Sequence, residues 1–451
     1  MRVFIHGQHN HKGCFYFMKK RYLDLSADEL KKEYEEVRNE YDNFKNLELS
    51  LDMSRGKPSK DQLNLSMELL DKVTSKSNIL SESGLDCRNY GGPDGIPEMR
   101  RLFASILGCR DEQIIIGGTS SLNMMFDFIS QAMTTGMGGE PWSKQGEIKF
   151  LCPSPGYDRH FAITEHFGIK MIPIAMQNDG PDMEEVERLV RDPQVKGMWC
   201  VPKYSNPQGI TYSDEIVRRI ASLKPAAKDF RVMWDNAYSI HLVSANDKLI
   251  NILDECRKAG NPSLVVEFAS TSKITFPGGG VACVAANKTN LDILHSRMKV
   301  QTICQDKINQ LRHARMFPDF SALEAHMLKH AEILIPKFNM VLDMLGDRLG
   351  GLDILAWNHP NGGYFISVDT LPGCAKRTVV LCKEAGVTLT DAGATYPYGN
   401  DPLDSNIRIA PSFPPVDELR QAMLLFTTAV KLATIEMILK EEYDIDIAAS
   451  K

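Results

Sequence analysis

The chain has 451 residues, which at roughly 150 residues per domain allows up to three domains or one large two-part enzyme. Its 52 Lys+Arg against 58 Asp+Glu leave a net charge of −6, which argues against a chain-wide basic nucleic-acid binder. With 43% hydrophobic and 24% charged residues the composition is globular and not disordered, and no apolar run approaches the ~18 residues of a bilayer span.

The first stretch, MRVFIHGQHNHKGCFYF, lacks the apolar segment and cleavage site of a signal peptide. Residues 1–17 read as a disordered extension, with Met18 as an alternative start. His6, His9 and His11 have no acidic or Cys partners at ligand spacing, so no metal site is expected. The 10 cysteines form no C-x-x-C pair, and Cys152, Cys200 and Cys283 sit inside apolar runs. Buried free thiols in a reducing cytosol account for this pattern, so the location is read as cytoplasmic.

Ser26 and Glu29 form a capping box. Leu30, Tyr34, Val37, Tyr41 and Phe44 follow at steps of 4, 3, 4 and 3, one apolar stripe along a helix. From about residue 95 short apolar runs alternate with helical periods. The runs lie at 114–116, 149–152, 198–201, 232–234, 264–269 and 281–286. Short buried strands separated by helices indicate an α/β fold with a mostly parallel sheet. After Asn290 the pattern is helical to about Leu349, 352–370 reads as strands around the Asn361 turn, and a last helix covers about 416–441. This later part reads as a smaller α+β domain.

In open parallel sheets ligands bind beyond the carboxyl ends of the strands, so the residues following each run are the candidates. They are G-G-T-S-S at 117–121, P-S-P-G-Y at 153–157, P-K-Y-S-N-P-Q-G at 202–209, D-N-A-Y at 235–238 and S-T-S-K at 270–273. Five strand ends carrying small, polar or ionisable groups suggest one shared site. The 117–121 turn feeds a helix N-terminus and suits a phosphate, or is a plain N-cap. Asp235 at a strand end is costly unless paired: it is a cap, an ion-pair partner, or the counter-ion of a cationic ligand group. Lys273, followed by three glycines at 278–280, is either an exposed loop lysine or an amine whose pKa is lowered for Schiff-base chemistry.

Taken together in order, these segments resemble the fold-type-I pyridoxal-phosphate enzymes, specifically class I aminotransferases. The carrying motifs are Y-x-x-x-x-G from Tyr90, the 117–121 turn, Tyr157 after its Pro-Ser-Pro-Gly turn, N-P-x-G from Asn206, D-x-A-Y from Asp235, S-x-x-K from Ser270, and Arg408. The segments around Arg55, the 117–122 turn and 270–280 look most like the MocR-like, or type Ic aspartate aminotransferase, subgroup. The resemblance spans about residues 50–440 and implies a mixed, mostly parallel sheet flanked by helices.

It also implies roles. Lys273 would carry the Schiff base and shuttle the substrate Cα proton. Asp235 would pair with the pyridinium N–H of pyridoxal 5′-phosphate, making the ring an electron sink. Tyr238 and Asn206 would bond the ring oxygen, and Tyr157 would stack on the ring. Thr119, Ser120, Ser121, Ser270 and Ser272 would contact the phosphate, joined by Tyr90 from the neighbouring subunit of a homodimer with shared sites. Arg408 would clamp the substrate α-carboxylate with a two-point contact.

One departure is Val281, where many family members place a phosphate-binding arginine eight residues after the lysine. A dicarboxylic substrate needs a second cation. Arg55 beside Gly56, Lys57, Lys307, Arg312 and Arg315 are the candidates, each equally a solvated cation or salt-bridge partner. The resemblance favours aspartate and 2-oxoglutarate as amino-acid and 2-oxo-acid substrates. A β-lyase or decarboxylase is the alternative on the same scaffold. A cofactor-sensing regulator is disfavoured because only about 50 residues precede Arg55 and no basic recognition helix is evident. No membrane or nucleic-acid partner is expected. The domain reading is an extension at 1–17, an arm and part of a small domain at 18–75, a cofactor domain at 76–325, and the rest of the small domain at 326–451.

Overall fold

The computed structural model describes residues 21–241, 243 and 247–447. The readings for 1–17 and Met18, including His6, His9, His11 and Cys14, lie outside the described residues. Among the described residues no cluster of three or more potential metal ligands occurs, and the nine described cysteines are free.

The strands, in chain order, are β1 Leu51–Asp52, β2 Ile114–Ile116, β3 Lys149–Ser154, β4 Lys170–Gln177, β5 Gly180–Pro181, β6 Val195–Cys200, β7 Arg231–Asp235, β8 Val265–Ser270, β9 Ala282–Ala285, β10 Leu355–Trp357, β11 Ile366–Thr370, β12 Val387–Thr388 and β13 Asn406–Ile409. The large sheet has the order β2-β9-β8-β7-β6-β3-β4-β5. Strands β4, β3, β6, β7 and β8 run parallel, whereas β9 is antiparallel to both its neighbours. Runs such as Val232–Met233–Trp234 are buried on both faces because helices cover both sides.

Strand β4 was not anticipated. Its exposure varies along its length, and Pro173 within it reads as a break, yet the residue pairs with Cys152 of β3.

Two apolar cores follow from this sheet. One face buries Ile116, Trp234, Val265 and Cys283 with the helices Pro97–Leu107, Asp214–Ala221 and Ile252–Lys258. The other buries Phe128, Phe150, Trp199, Met233 and Phe268. A third core joins Leu30, Tyr34, Val37 and Tyr41 of the capped helix Ala27–Lys45 to Phe338, Val368, Ile407 and Phe426. Ser26 caps that helix as its sequence requires: its hydroxyl accepts from Glu29 N–H, and Glu29 reaches back to Ser26. Each such apolar side chain contributes about 1.5–3 kcal/mol on burial.

The last helix, Val416–Tyr443, corrects the absence of a span-length segment. Its best 18-residue window has a mean hydropathy of 1.7, a property hidden from run length by Thr427, Thr428 and Lys431. That window is 78% buried inside the protein, as befits a core helix.

The N-terminal segment belongs physically with this third core. β1 pairs parallel with β12, which carries the chain from Met53 toward Gly56. The antiparallel trio β10-β11-β13 aligns Ser367 with Arg408. The small unit therefore delivers Gly56 and Arg408 to the carboxyl edge of the large sheet.

Candidate active site

Asp235 is the last residue of β7 and is 3% exposed. Its Oδ2 accepts from His160 Nε2 at 3.0 Å. Its Oδ1 is buried and has no partner among the described residues. The His160 ring stacks on Trp199 at 4.3 Å and meets Tyr157 edge-on at 4.9 Å. Tyr157 and His160 fall three residues apart around the start of the helix Asp158–His166, which puts both on one face.

Lys273 follows β8. Its Nζ donates to the Gly56 carbonyl at 2.5 Å and lies 4.9 Å from the centre of the Tyr364 ring. Burial, and then the Arg408 guanidinium, pull its pKa down to about 8. Tyr364 is held in turn by Gln62 Nε2 at 2.9 Å, which also meets His330 Nδ1 at 3.1 Å.

Arg408, 7% exposed, donates through Nη1 to Asp158 Oδ1 at 3.0 Å and Asn206 Oδ1 at 3.1 Å, and through Nη2 to Thr390 Oγ1 at 3.2 Å. Its guanidinium rests over the Phe365 ring at 4.8 Å. Tyr364 and Phe365 thus each carry one of the site's two cations on a ring face.

The 117–121 segment forms a turn into the helix Ser121–Thr134. Ser120 is the N-cap, its Oγ accepting from Leu122 N–H at 3.2 Å, so its own hydroxyl proton remains available. Ladder bonds from Gly117 N to Ala282 O (2.7 Å) and from Ala282 N to Gly118 O (2.8 Å) fix the turn against β9. Ser270 donates to Ser272 Oγ at 3.0 Å on the adjoining strand end. A Cβ at Gly280 would approach the Thr119 carbonyl to 2.9 Å, so this glycine permits the close packing. Val281, where an arginine would be familiar, is buried at 2% exposure. Tyr238 is buried at 4%, and burial pushes its phenol well above the ordinary range. Burial, then Asp235, raises Tyr157 to about 12.

The structure therefore brings together Lys273, Asp235, Tyr238, Tyr157, Asn206, Gly56 and Arg408, and sets Thr119, Ser120, Ser121, Ser270 and Ser272 at adjoining strand ends and a helix start. Tyr90, 70% exposed, and Lys307, 2% exposed at the start of the helix Lys307–Met316, make no hydrogen bond or ion pair to this group among the described residues. Arg55 is exposed. Lys57 lies over the Phe413 ring at 3.8 Å. Arg315 is taken up by the carbonyls of Lys72 and Asn78, a structural role. Sequence reading missed His160, Asp158, Thr390, Tyr364 and Phe365. The aromatic pair directly after Gly363 and the Tyr157–His160 spacing were the available signals.

Fold and site define the class: a lysine amine with lowered pKa, a buried carboxylate with a free oxygen, and a buried guanidinium, all at the carboxyl edge of an α/β sheet. The family model described as aspartate amino-transferase matches residues 25–442. An aspartate aminotransferase of Corynebacterium glutamicum is 46% identical over 416 residues, covering 92% of this chain and 96% of the relative. The crystal structure of an aspartate transaminase from that organism superimposes with a TM-score of 0.90 at 45% identity, over 92% of this chain and 98% of the other. The crystal structure of a protein described as a putative aminotransferase, from Corynebacterium diphtheriae, gives 0.87 at 48% identity, over 89% of this chain and 100% of the other. The chain belongs to the aspartate aminotransferase family and is a pyridoxal-phosphate-dependent aminotransferase, working on amino-acid and 2-oxo-acid substrates.

The residues present fit that cofactor. The unpartnered Asp235 Oδ1 calls for a cationic N–H donor, and a helix start with capping hydroxyls suits a dianion.

Proposed function

We propose that the enzyme transfers the amino group of aspartate to 2-oxoglutarate. The observation that carries this reading is the buried Arg408 guanidinium at the side of Lys273, in a chain 46% identical to an aspartate aminotransferase. A planar, permanently charged fork suits the α-carboxylate that both substrates share. Lys57, exposed Arg55 and Lys307 are the cations proposed for the second carboxylate.

When bound, the cofactor supplies an electron sink for the carbanion formed at the substrate Cα. Asp235, oriented by His160, would hold the pyridinium N–H through its unpartnered oxygen. Asn206 and Tyr238 would bind the ring oxygen, and Tyr157 would pack on the ring. Thr119, Ser120, Ser121, Ser270 and Ser272 would bind the phosphate. Lys273 would hold the cofactor through its amine and would move the proton at the substrate Cα, a task suited to an amine whose pKa burial pulls down to about 8.

A cytosolic homodimer is part of the same reading. Tyr90 is 70% exposed, Val300 89% and Ile303 65%, and Lys307 packs beside Gly92 on the segment that bears Tyr90. These features support a surface that a second copy covers, with Tyr90 and Lys307 serving the neighbouring site. Division near residues 75 and 325 into two interleaved domains is supported by the third core, which draws on both chain ends. Neither a membrane nor a nucleic acid is a proposed partner.

The reading is tested with a panel of amino acids, scoring conversion of the cofactor spectrum to the amine form. Strong responses to aspartate and glutamate with none to aromatic or branched substrates are expected; the reverse ranking refutes aspartate. Lys273→Ala should abolish both the visible band of lysine-bound cofactor and turnover.

A further inference from the structure

On the face of β7 opposite Asp235, Glu267 of β8 sits in an apolar core at 2% exposure. Its Oε1 accepts from Asn236 Nδ2 at 2.9 Å. Its other oxygen, Oε2, and the Asn236 amide oxygen Oδ1 are both buried and lack partners among the described residues. Two acceptors left over on one already paired acid and amide are both satisfied if the acid carries a proton that it donates to the amide oxygen. Turning the amide over changes which carboxyl oxygen carries that proton and not the need for it.

We propose that Glu267 is held as an un-ionised acid in a two-point pair with Asn236, and that this pair positions Asp235, the residue directly before Asn236. As a positioning residue, Glu267 anchors the end of β7 without placing a second negative charge beside the cofactor's counter-ion. This rests on the cofactor-binding role proposed for Asp235. The alternative, an ionised Glu267, would strand a charge in a core where, among the described residues, no cation meets it. The titratable groups facing it are the thiols of Cys109, Cys256 and Cys283, all pushed up by burial and hence neutral. Burial likewise raises Glu267 to about 7 from 4.5.

The direction of linkage follows. An acid raised in the folded state costs stability as pH climbs from 4.5 to about 7, and the full cost persists above. Gln reproduces the protonated acid: its amide can both accept from and donate to Asn236.

The experiment compares wild type, Glu267→Gln and Glu267→Leu as cofactor-free protein. Thermal unfolding from pH 5 to 8 should show Glu267→Gln matching wild type at pH 5 and exceeding it at pH 8 by at least ~2 °C. Infrared difference spectra should show an un-ionised carboxyl band at pH 6, absent from Glu267→Gln. Titration with pyridoxal phosphate should give weaker binding for Glu267→Leu and near wild-type binding for Glu267→Gln. A Gln variant less stable than wild type at pH 8, or a carboxylate band alone at pH 6, overturns the protonated pair. Equal cofactor binding by Leu and Gln variants overturns the positioning role and leaves the pair itself standing. Loss of Lys273-dependent cofactor binding in wild type would instead sink the broader reading.

Discussion

Lys273 is set apart from the other lysines by what surrounds its amine: a carbonyl, an aromatic face and a neighbouring guanidinium. Because its folded pKa falls to about 8 from 10.5, charging it costs folding free energy at neutral pH, and that cost is relieved as pH rises from 8 to 10.5. Cofactor-free Lys273→Met should therefore exceed wild type in Tm at pH 7 and lose that advantage by pH 10. Acylation of Lys273 should rise through pH 8, and a midpoint near 10 would contradict the geometry. His160 makes a second residue-scale prediction. A hydrogen bond to a charged group is worth ~1.5–3 kcal/mol, so His160→Ala should weaken cofactor binding about 10- to 100-fold by fluorescence titration. His160 could not be read as Asp235's partner from sequence because 75 residues separate them. Only the parallel pairing of β3, β6 and β7 closes that gap.

Among the elements, the short strand β1 and the turn after it act as a strap, pairing with β12 and laying Gly56 against the site. A Cβ at Gly56 would stand 2.4 Å from Phe365 Cζ, displacing the ring on which Arg408 rests. Gly56→Ala should raise KM for both substrates about tenfold, on the scale of a 1–3 kcal/mol overpacking cost, with folding retained by circular dichroism. The segments most legible in the sequence were those whose physics is local. The cap at Ser26, the doubly buried runs of β7 and β8 and the polar residues that end them all declare themselves by spacing. β4 was hidden because Pro173 breaks its pattern. The aromatic platform of Tyr364 and Phe365 was hidden because those two rings look like ordinary core until the cations above them are placed.

For the molecule as a whole, −6 net charge means the site's cations are local exceptions in an anionic protein. Arg408, on β13 of the small unit, meets Asp158 and Asn206 of the large one. The guanidinium thus already holds a carboxylate, and on the proposed role of Arg408 an arriving substrate would exchange one anion for another. Such an exchange offers little net charge for an incoming anion to feel at a distance, so KM should be nearly flat as ionic strength rises past 0.1 M, where screening acts over ~10 Å. Asp158→Asn would unmask the guanidinium, and KM should then fall at low salt and climb steeply as salt is added. In this protein the tolerance of catalysis to the ionic composition of its surroundings would be set by one internal aspartate.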